Sequence, residues 1–173
     1  MWQLIKNYLW HWPKAVMASA WYGFPAKRLT VVGVTGSNGK TTTKEMTASI
    51  LNRRSPVLKN EGNFNNHIGL PLTILAMSSD CPVLVVEMGM SAAGEIAHLA
   101  SVASPTIGVV TNVYPAHLAA FSGLTGIAQA KGELLRALPV DGVAIYPAHR
   151  WETSILATLA NPTRHLTFGS AAT

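Results

Sequence analysis

Residues 31–44 read VVGVTGSNGKTTTK: an apolar strand, a turn bearing Gly33, Gly36 and Gly39, then Lys-Thr-Thr-Thr at the start of a helix. A buried strand that turns through glycines into a helix N-terminus points to an α/β layer fold, with the turn beyond the strand's carboxyl end. Glycines there let the main chain approach an anion without a Cβ in the way. The N–H groups of the loop and of the first helical turn have no partner within the helix. Gly36, Ser37, Asn38, Gly39, Lys40, Thr41 and Thr42 are therefore the candidate residues for a nucleotide's phosphates. Lys40 supplies a mobile positive charge and Thr41 a hydroxyl suited to Mg²⁺. The spacing is GxxGxxGKT; the commoner GxxxxGKT would require glycine where Val34 stands. ATP is the expected ligand, and a glycine-rich turn with a chance Lys-Thr is the alternative.

The rest of the chain repeats the alternation. Apolar runs at Leu29–Val34, Val83–Glu87, Thr106–Val110 and Gly142–Tyr146 read as strands, with short ones at Pro56–Leu58 and Arg164–Phe168. Helices are expected from Thr41 to about Arg53, at Ile68–Met77, from about Gly94 to Val102, at Thr125–Leu138 and near Trp151–Leu159. Lys59–His67 is polar and asparagine-rich, hence a loop. Near-continuous apolar strands between helices indicate a mostly parallel sheet covered on both faces, a doubly wound α/β fold. Ligands of such sheets bind beyond the carboxyl ends of the strands.

That rule gathers the remaining chemistry. Glu87 ends one strand, placed to hold Mg²⁺ directly or through water; an ordinary solvated carboxylate is the alternative. Asn112 follows the next strand, with an amide that could read an adenine edge, and His117 could ligate metal or contact phosphate. Asn63, Asn65, Asn66 and His67 crowd one loop, suited to a polar substrate, to phosphate and metal, or simply to a solvated turn. Lys131 is the anomaly. It lies four residues from both Ile127 and Leu135, on the apolar stripe of its helix. A buried ammonium is costly and its pKa falls. Such a lysine either snorkels or pairs with a carboxylate, or its neutral amine takes up CO₂ as a carbamate able to bind a cation.

Composition excludes little but usefully. Charged residues make up 12% and hydrophobic ones 49%, which is no disordered chain. The net charge of +5 suits an anionic ligand, yet no long basic tract or RNA-binding signature is present, so nucleic acid is not an expected partner. The single cysteine, Cys81, fits a reducing, cytoplasmic setting and a small apolar role before its strand. No stretch is long and apolar enough to be a transmembrane segment. The segment 1–28 places Trp2, Ile5, Leu9 and Trp12 at helical spacing. It reads as a docking helix for this domain or a partner, with an interfacial membrane helix as the alternative.

The segments GVTGSNGKTTTKEM, GNFNNHIGLPLT, VVEMGMSAAGEI and TNVYPAHLAAFSGLTGIAQAKGELL occur in this order. Together they resemble the central ATP-binding domain of the Mur ligases, from about Leu29 to the C-terminus. Glu-Met-Gly, the Gly-Asn-x-Asn-Asn loop and Ala-His-Leu…Ala-Lys-Gly-Glu are most similar to the branch that adds D-alanyl-D-alanine. The resemblance implies ATP-dependent amide formation. ATP would phosphorylate the terminal carboxylate of UDP-MurNAc-tripeptide, and the amine of D-Ala-D-Ala would displace phosphate from the acyl phosphate. It further implies that Lys40 stabilises the transferring phosphoryl group and that Thr41 and Glu87 hold one Mg²⁺. His117 and a carbamylated Lys131 would serve a second, Asn112 would meet adenine, and Asn63, Asn65 and Asn66 would lie near phosphate and substrate. The expected division is an aromatic helical segment, 1–28, and the ATP-binding domain, 29–173. The family's uridine-binding N-terminal domain and its C-terminal domain are not expected, so the chain alone should bind Mg-ATP without completing ligation. A folylpolyglutamate synthase-like or cyanophycin synthetase-like ATP domain, or a non-catalytic nucleotide-binding module, are the competing readings.

Overall fold

The computed structural model describes residues 29–78, 80–115, 121, 123–148, 150–162 and 164–169; the aromatic segment 1–28 and His117 lie outside them. Among the described residues strands and helices alternate without exception. They are β1 (Thr30–Thr35), α1 (Lys40–Leu51), β2 (Val57–Lys59), α2 (Gly69–Leu75), β3 (Val83–Glu87), α3 (Glu95–Ala103), β4 (Ile107–Val110), α4 (Gly123–Arg136), β5 (Val143–Pro147), α5 (Thr153–Leu159) and β6 (Arg164–Phe168). The strands form one sheet in the order β2-β3-β1-β4-β5-β6, and every pairing is parallel.

The order explains how the helices are distributed. Only the β1-to-β2 connection runs toward the β2 edge; the other four run toward β6. Right-handed crossovers therefore put α1 on one face and α2 to α5 on the other. Side-chain alternation along the strands agrees. Val32, Val34 and Val85 pack with Ala48 of α1. Val31, Leu84 and Val86 pack with Leu70, Ile74, Ile96, Leu99 and Leu134 from α2, α3 and α4. Ala144 and Tyr146 meet Ile127, Leu135 and Leu156. Leu134 and Leu135 are fully buried, and each such side chain contributes roughly 2–3 kcal/mol.

Register sets the site. Val34 lies beside Glu87 and Thr35 beside Val110, so β1, β3 and β4 end together. Cys81 is a free, buried thiol just before β3. No helix of the described residues is long and apolar enough to cross a membrane. Every helix starts or ends one or two residues from expectation, and α4 and α5 show it most plainly. α4 begins at Gly123 and ends at Arg136, because Leu138 is a core residue (1% exposed) beyond the helix, just before Pro139. α5 begins at Thr153, after a turn that holds Trp151.

Candidate functional site

At the end of β1 the Thr35 hydroxyl donates to the Met88 carbonyl at 3.0 Å, tying β1 to the segment after β3. The chain then turns at Gly36, with φ 147°, where a Cβ would lie 1.8 Å from Thr111 Oγ1. Only glycine fits there. Residues just past β4 hold the turn from the other side. Thr111 Oγ1 and Asn112 Nδ2 donate to the Asn38 carbonyl at 2.7 and 3.1 Å, and Asn112 Oδ1 accepts from the Asn38 N–H at 2.9 Å. Ser37 Oγ bridges the Tyr114 N–H and carbonyl, 2.9 Å from each.

Gly39, at φ 75°, leads into α1, and the Thr43 N–H closes the first hydrogen-bonded turn on the Gly39 carbonyl at 2.9 Å. The N–H groups of Lys40, Thr41 and Thr42 thus have no acceptor within the helix. Asn38, Gly39, Thr41 and Thr42 are exposed. The Lys40 amine lies against the loop, donating to the Ser37 carbonyl at 3.1 Å. Free donors, a helix dipole's positive end and an ammonium converge on a solvent-facing turn, an arrangement that suits an anion.

The β3 side supplies the opposite charge. Glu87 is 3% exposed, and its carboxylate accepts from Thr41 Oγ1 at 2.7 Å and from Asn65 Nδ2 at 2.8 Å. Its backbone is fixed by the fully buried Asn60, whose Oδ1 accepts from the Glu87 N–H at 2.8 Å. Asn60 Nδ2 donates to the Glu87 and Phe64 carbonyls at 3.0 and 2.9 Å. Lys44, also fully buried, donates to the Asn60 carbonyl. Among the described residues no group of three or more His, Cys, Asp or Glu could hold a metal alone. Thr41 and Glu87 instead offer two hard oxygens beside the glycine turn, the set Mg²⁺ uses when phosphates and water complete its shell. The residues fit that ion.

Lys131 is 4% exposed on α4, among Ile127, Leu134 and Leu135, and no carboxylate of the described residues pairs with it. Burial brings its amine down to about 8, and the Lys40 ammonium adds to the effect. Lys131 therefore lies within electrostatic reach of the loop cation. The other asparagines divide. Asn65 joins the Glu87 cluster, whereas Asn66 Oδ1 accepts the Ile68 and Gly69 N–H groups at 3.0 Å each, fixing the start of α2. Asn63 is exposed. Both ends of the Asn112 amide are engaged by Asn38, so in this arrangement it braces the loop.

Sequence reasoning passed over Lys44, Asn60, Tyr114 and Glu133. Glu133 of α4 accepts the Gly94 and Ala97 N–H groups at 2.7 and 3.0 Å, capping α3 from outside. Asn60 opens the asparagine-rich loop, and its neighbourhood was the available signal. Nothing in the local pattern marks Lys44 or Tyr114.

An all-parallel α/β sheet whose first strand ends in a glycine turn at a helix N-terminus, flanked by a strand-end acid, defines a class of α/β domain suited to nucleotide phosphates. Residues 34–173 match the Mur ligase middle domain, and the chain belongs to that family. It is 53% identical over 116 residues to the UDP-N-acetylmuramoyl-tripeptide–D-alanyl-D-alanine ligase of Bacillus subtilis (strain 168), covering 67% of this chain and 25% of that one. Among solved structures it is similar to MurF from Acinetobacter baumannii, with 34% identity and a TM-score of 0.85 over 92% of this chain and 35% of that one. MurF from Thermotoga maritima in complex with ADP is 35% identical, with a TM-score of 0.79 over 88% of this chain and 35% of that one. The chain spans about a quarter of the length of the curated relative it matches.

Proposed function

We propose that this chain binds Mg-ATP and acts as the ATP-binding part of a ligase joining D-Ala-D-Ala to UDP-MurNAc-tripeptide. The observation that carries this reading is the 2.7 Å contact between Thr41 and Glu87 beside a turn that admits only glycine at Gly36. The relatives support it, since one is named for that ligation and another is held with ADP. Bound Mg²⁺ would supply charge neutralisation between nucleotide phosphates.

The chain's own groups have separate tasks in this reading. N–H donors of residues 40–42 bind the phosphates, and Lys40 balances charge on the transferring phosphoryl group. Thr41 and Glu87 hold Mg²⁺, while Asn65 and Asn60 keep Glu87 in place. With its pKa near 8, roughly a tenth of the Lys131 amine is neutral at pH 7, against less than about one part in a thousand for an ordinary lysine. The neutral nitrogen adds to the carbon of CO₂, forming a carbamate and releasing one proton. Lys131 in that form, with His117, would hold a second Mg²⁺. On the family resemblance, Asn63, Asn65 and Asn66 would lie near phosphate and substrate, and Asn112 would meet adenine.

The test is a chimera in which residues 29–173 replace the matching portion of the Bacillus subtilis relative. ATP-dependent addition of D-Ala-D-Ala is expected, and Lys40→Ala or Lys131→Ala is expected to abolish it. A well-folded chimera with no ligase activity would contradict the proposal.

A further inference from the structure

Lys44 stands three residues after Thr41 in α1, so the two side chains share one face of the helix. Both reach the end of β3, by different routes. Thr41 Oγ1 donates directly to the Glu87 carboxylate at 2.7 Å. Lys44 donates to the Asn60 carbonyl, and the Asn60 side chain holds the Glu87 N–H at 2.8 Å and its carbonyl at 3.0 Å. These contacts close a circuit from α1 through Thr41, Glu87, Asn60 and Lys44 back to α1. The circuit has little slack. The Asn60 Oδ1 is engaged and both Nδ2 hydrogens are spent, the second on the Phe64 carbonyl at 2.9 Å. The Lys44 side chain is fully buried, although its ion-pair partner Glu45, 3.0 Å away, is 43% exposed. A lysine required only for that pair could follow Glu45 toward solvent on its flexible stem.

We propose that Lys44 is a positioning residue that sets which divalent cation the Thr41–Glu87 pair accepts, a proposal that rests on the Mg-ATP reading above. A buried charge kept at the cost of its desolvation fixes geometry more than it adds stability. Here the geometry is the spacing of α1 from β3. A cation beside the Thr41 and Glu87 oxygens is accommodated by movement of one element against the other. Thr41 ties the two at one point, and Lys44, through Asn60, ties them again about one turn further along α1. Mg²⁺ takes oxygens at about 2.0–2.1 Å and Ca²⁺ at about 2.3–2.6 Å in a looser shell, so a stiff frame favours the smaller ion. Without the second tie α1 can ride outward, and the larger ion loses its disadvantage. Glu45 stands outside the circuit, since its carboxylate also pairs with Lys59 at 2.6 Å and is held without Lys44.

Calorimetric titration of ATP into the full chain, once with Mg²⁺ and once with Ca²⁺, reads the preference as a ratio of two dissociation constants. Wild type is expected to favour Mg²⁺ by at least about tenfold. Lys44→Met keeps most of the apolar stem and removes the donor. It is expected to melt within about 3 °C of wild type and to lower the ratio at least about fivefold. Asn60→Ala opens the circuit at its Glu87 end and is expected to lower the ratio by a similar factor. Glu45→Gln, which leaves the bond from Lys44 to Asn60 in place, should keep the ratio within about twofold of wild type. A ratio unchanged in Lys44→Met, however weakly ATP then binds, would make Lys44 merely structural and overturn the proposal. So would a Lys44→Met chain that fails to fold, or a wild type indifferent to the ion. Wild-type chain that binds ATP with neither ion would instead overturn the Mg-ATP reading itself.

Discussion

Gly36 and Lys131 show two ways in which one residue constrains this molecule. At Gly36 the constraint is steric. Gly36→Ala places a methyl 1.8 Å from Thr111 Oγ1 on a backbone at φ 147°, so either the turn or β4 must move. We expect a loss of at least about 2 kcal/mol of stability together with loss of nucleotide binding, read by denaturation and by titration. At Lys131 the constraint is electrostatic. In metal-free, CO₂-free buffer its amine titrates near 8 when folded, against 10.5 as the ordinary value. The unfolded chain then holds more protons between those values. Wild-type stability should therefore rise from pH 8 to 10.5 relative to Lys131→Met, by up to about 3 kcal/mol. Parallel stability profiles for the two proteins would contradict it. The burial of Lys131 was legible because its neighbours at four-residue spacing are apolar. The burial of Lys44 was not, because its own helix turn is threonine- and lysine-rich and its partner, the Asn60 carbonyl, comes from a distant loop.

Elements are held to one another by buried polar groups as much as by the apolar core. Asn60 joins the asparagine-rich loop to the end of β3, and removing its side chain leaves the buried Glu87 N–H and carbonyl without their partner. Asn60→Ala is expected to cost about 2–4 kcal/mol, whereas the exposed Asn63→Ala should stay within about 0.5 kcal/mol. Urea denaturation of both variants distinguishes them, and equal effects would refute this account of the loop. Glu133→Ala removes two acceptors from the N-terminus of α3 and should cost about 1 kcal/mol by the same measurement. The strands were legible as elements because they are short apolar runs bounded by turns. Even β6, exposed along its length at the sheet edge, was readable from Arg164–Phe168. Helix ends were less so. Apolar spacing reports which residues reach the core, and Leu138 reaches it after the helix has finished.

At the scale of the whole molecule, the alternation of strands and helices indicated a parallel sheet and a site at its carboxyl edge. It did not indicate strand order, since nothing local to β1 says that β3 and β4 are its neighbours. That order places Glu87 and Asn112 on opposite sides of the Gly36 turn. The candidate site was accordingly legible as a set of residues but not as an arrangement. The division of labour between Asn65, which joins the acid, and Asn66, which caps a helix, had no signature in the sequence. Right-handed crossovers then leave α1, with its free N–H groups, as the only described helix on its face. Titration of ATP into the full chain, with Mg²⁺ and with Mg²⁺ chelated, and again into Glu87→Gln, tests the central claim most directly. ATP binding that weakens at least about tenfold on chelation and in the variant is the predicted result. Absence of binding, or an affinity indifferent to both Mg²⁺ and Glu87, would contradict it.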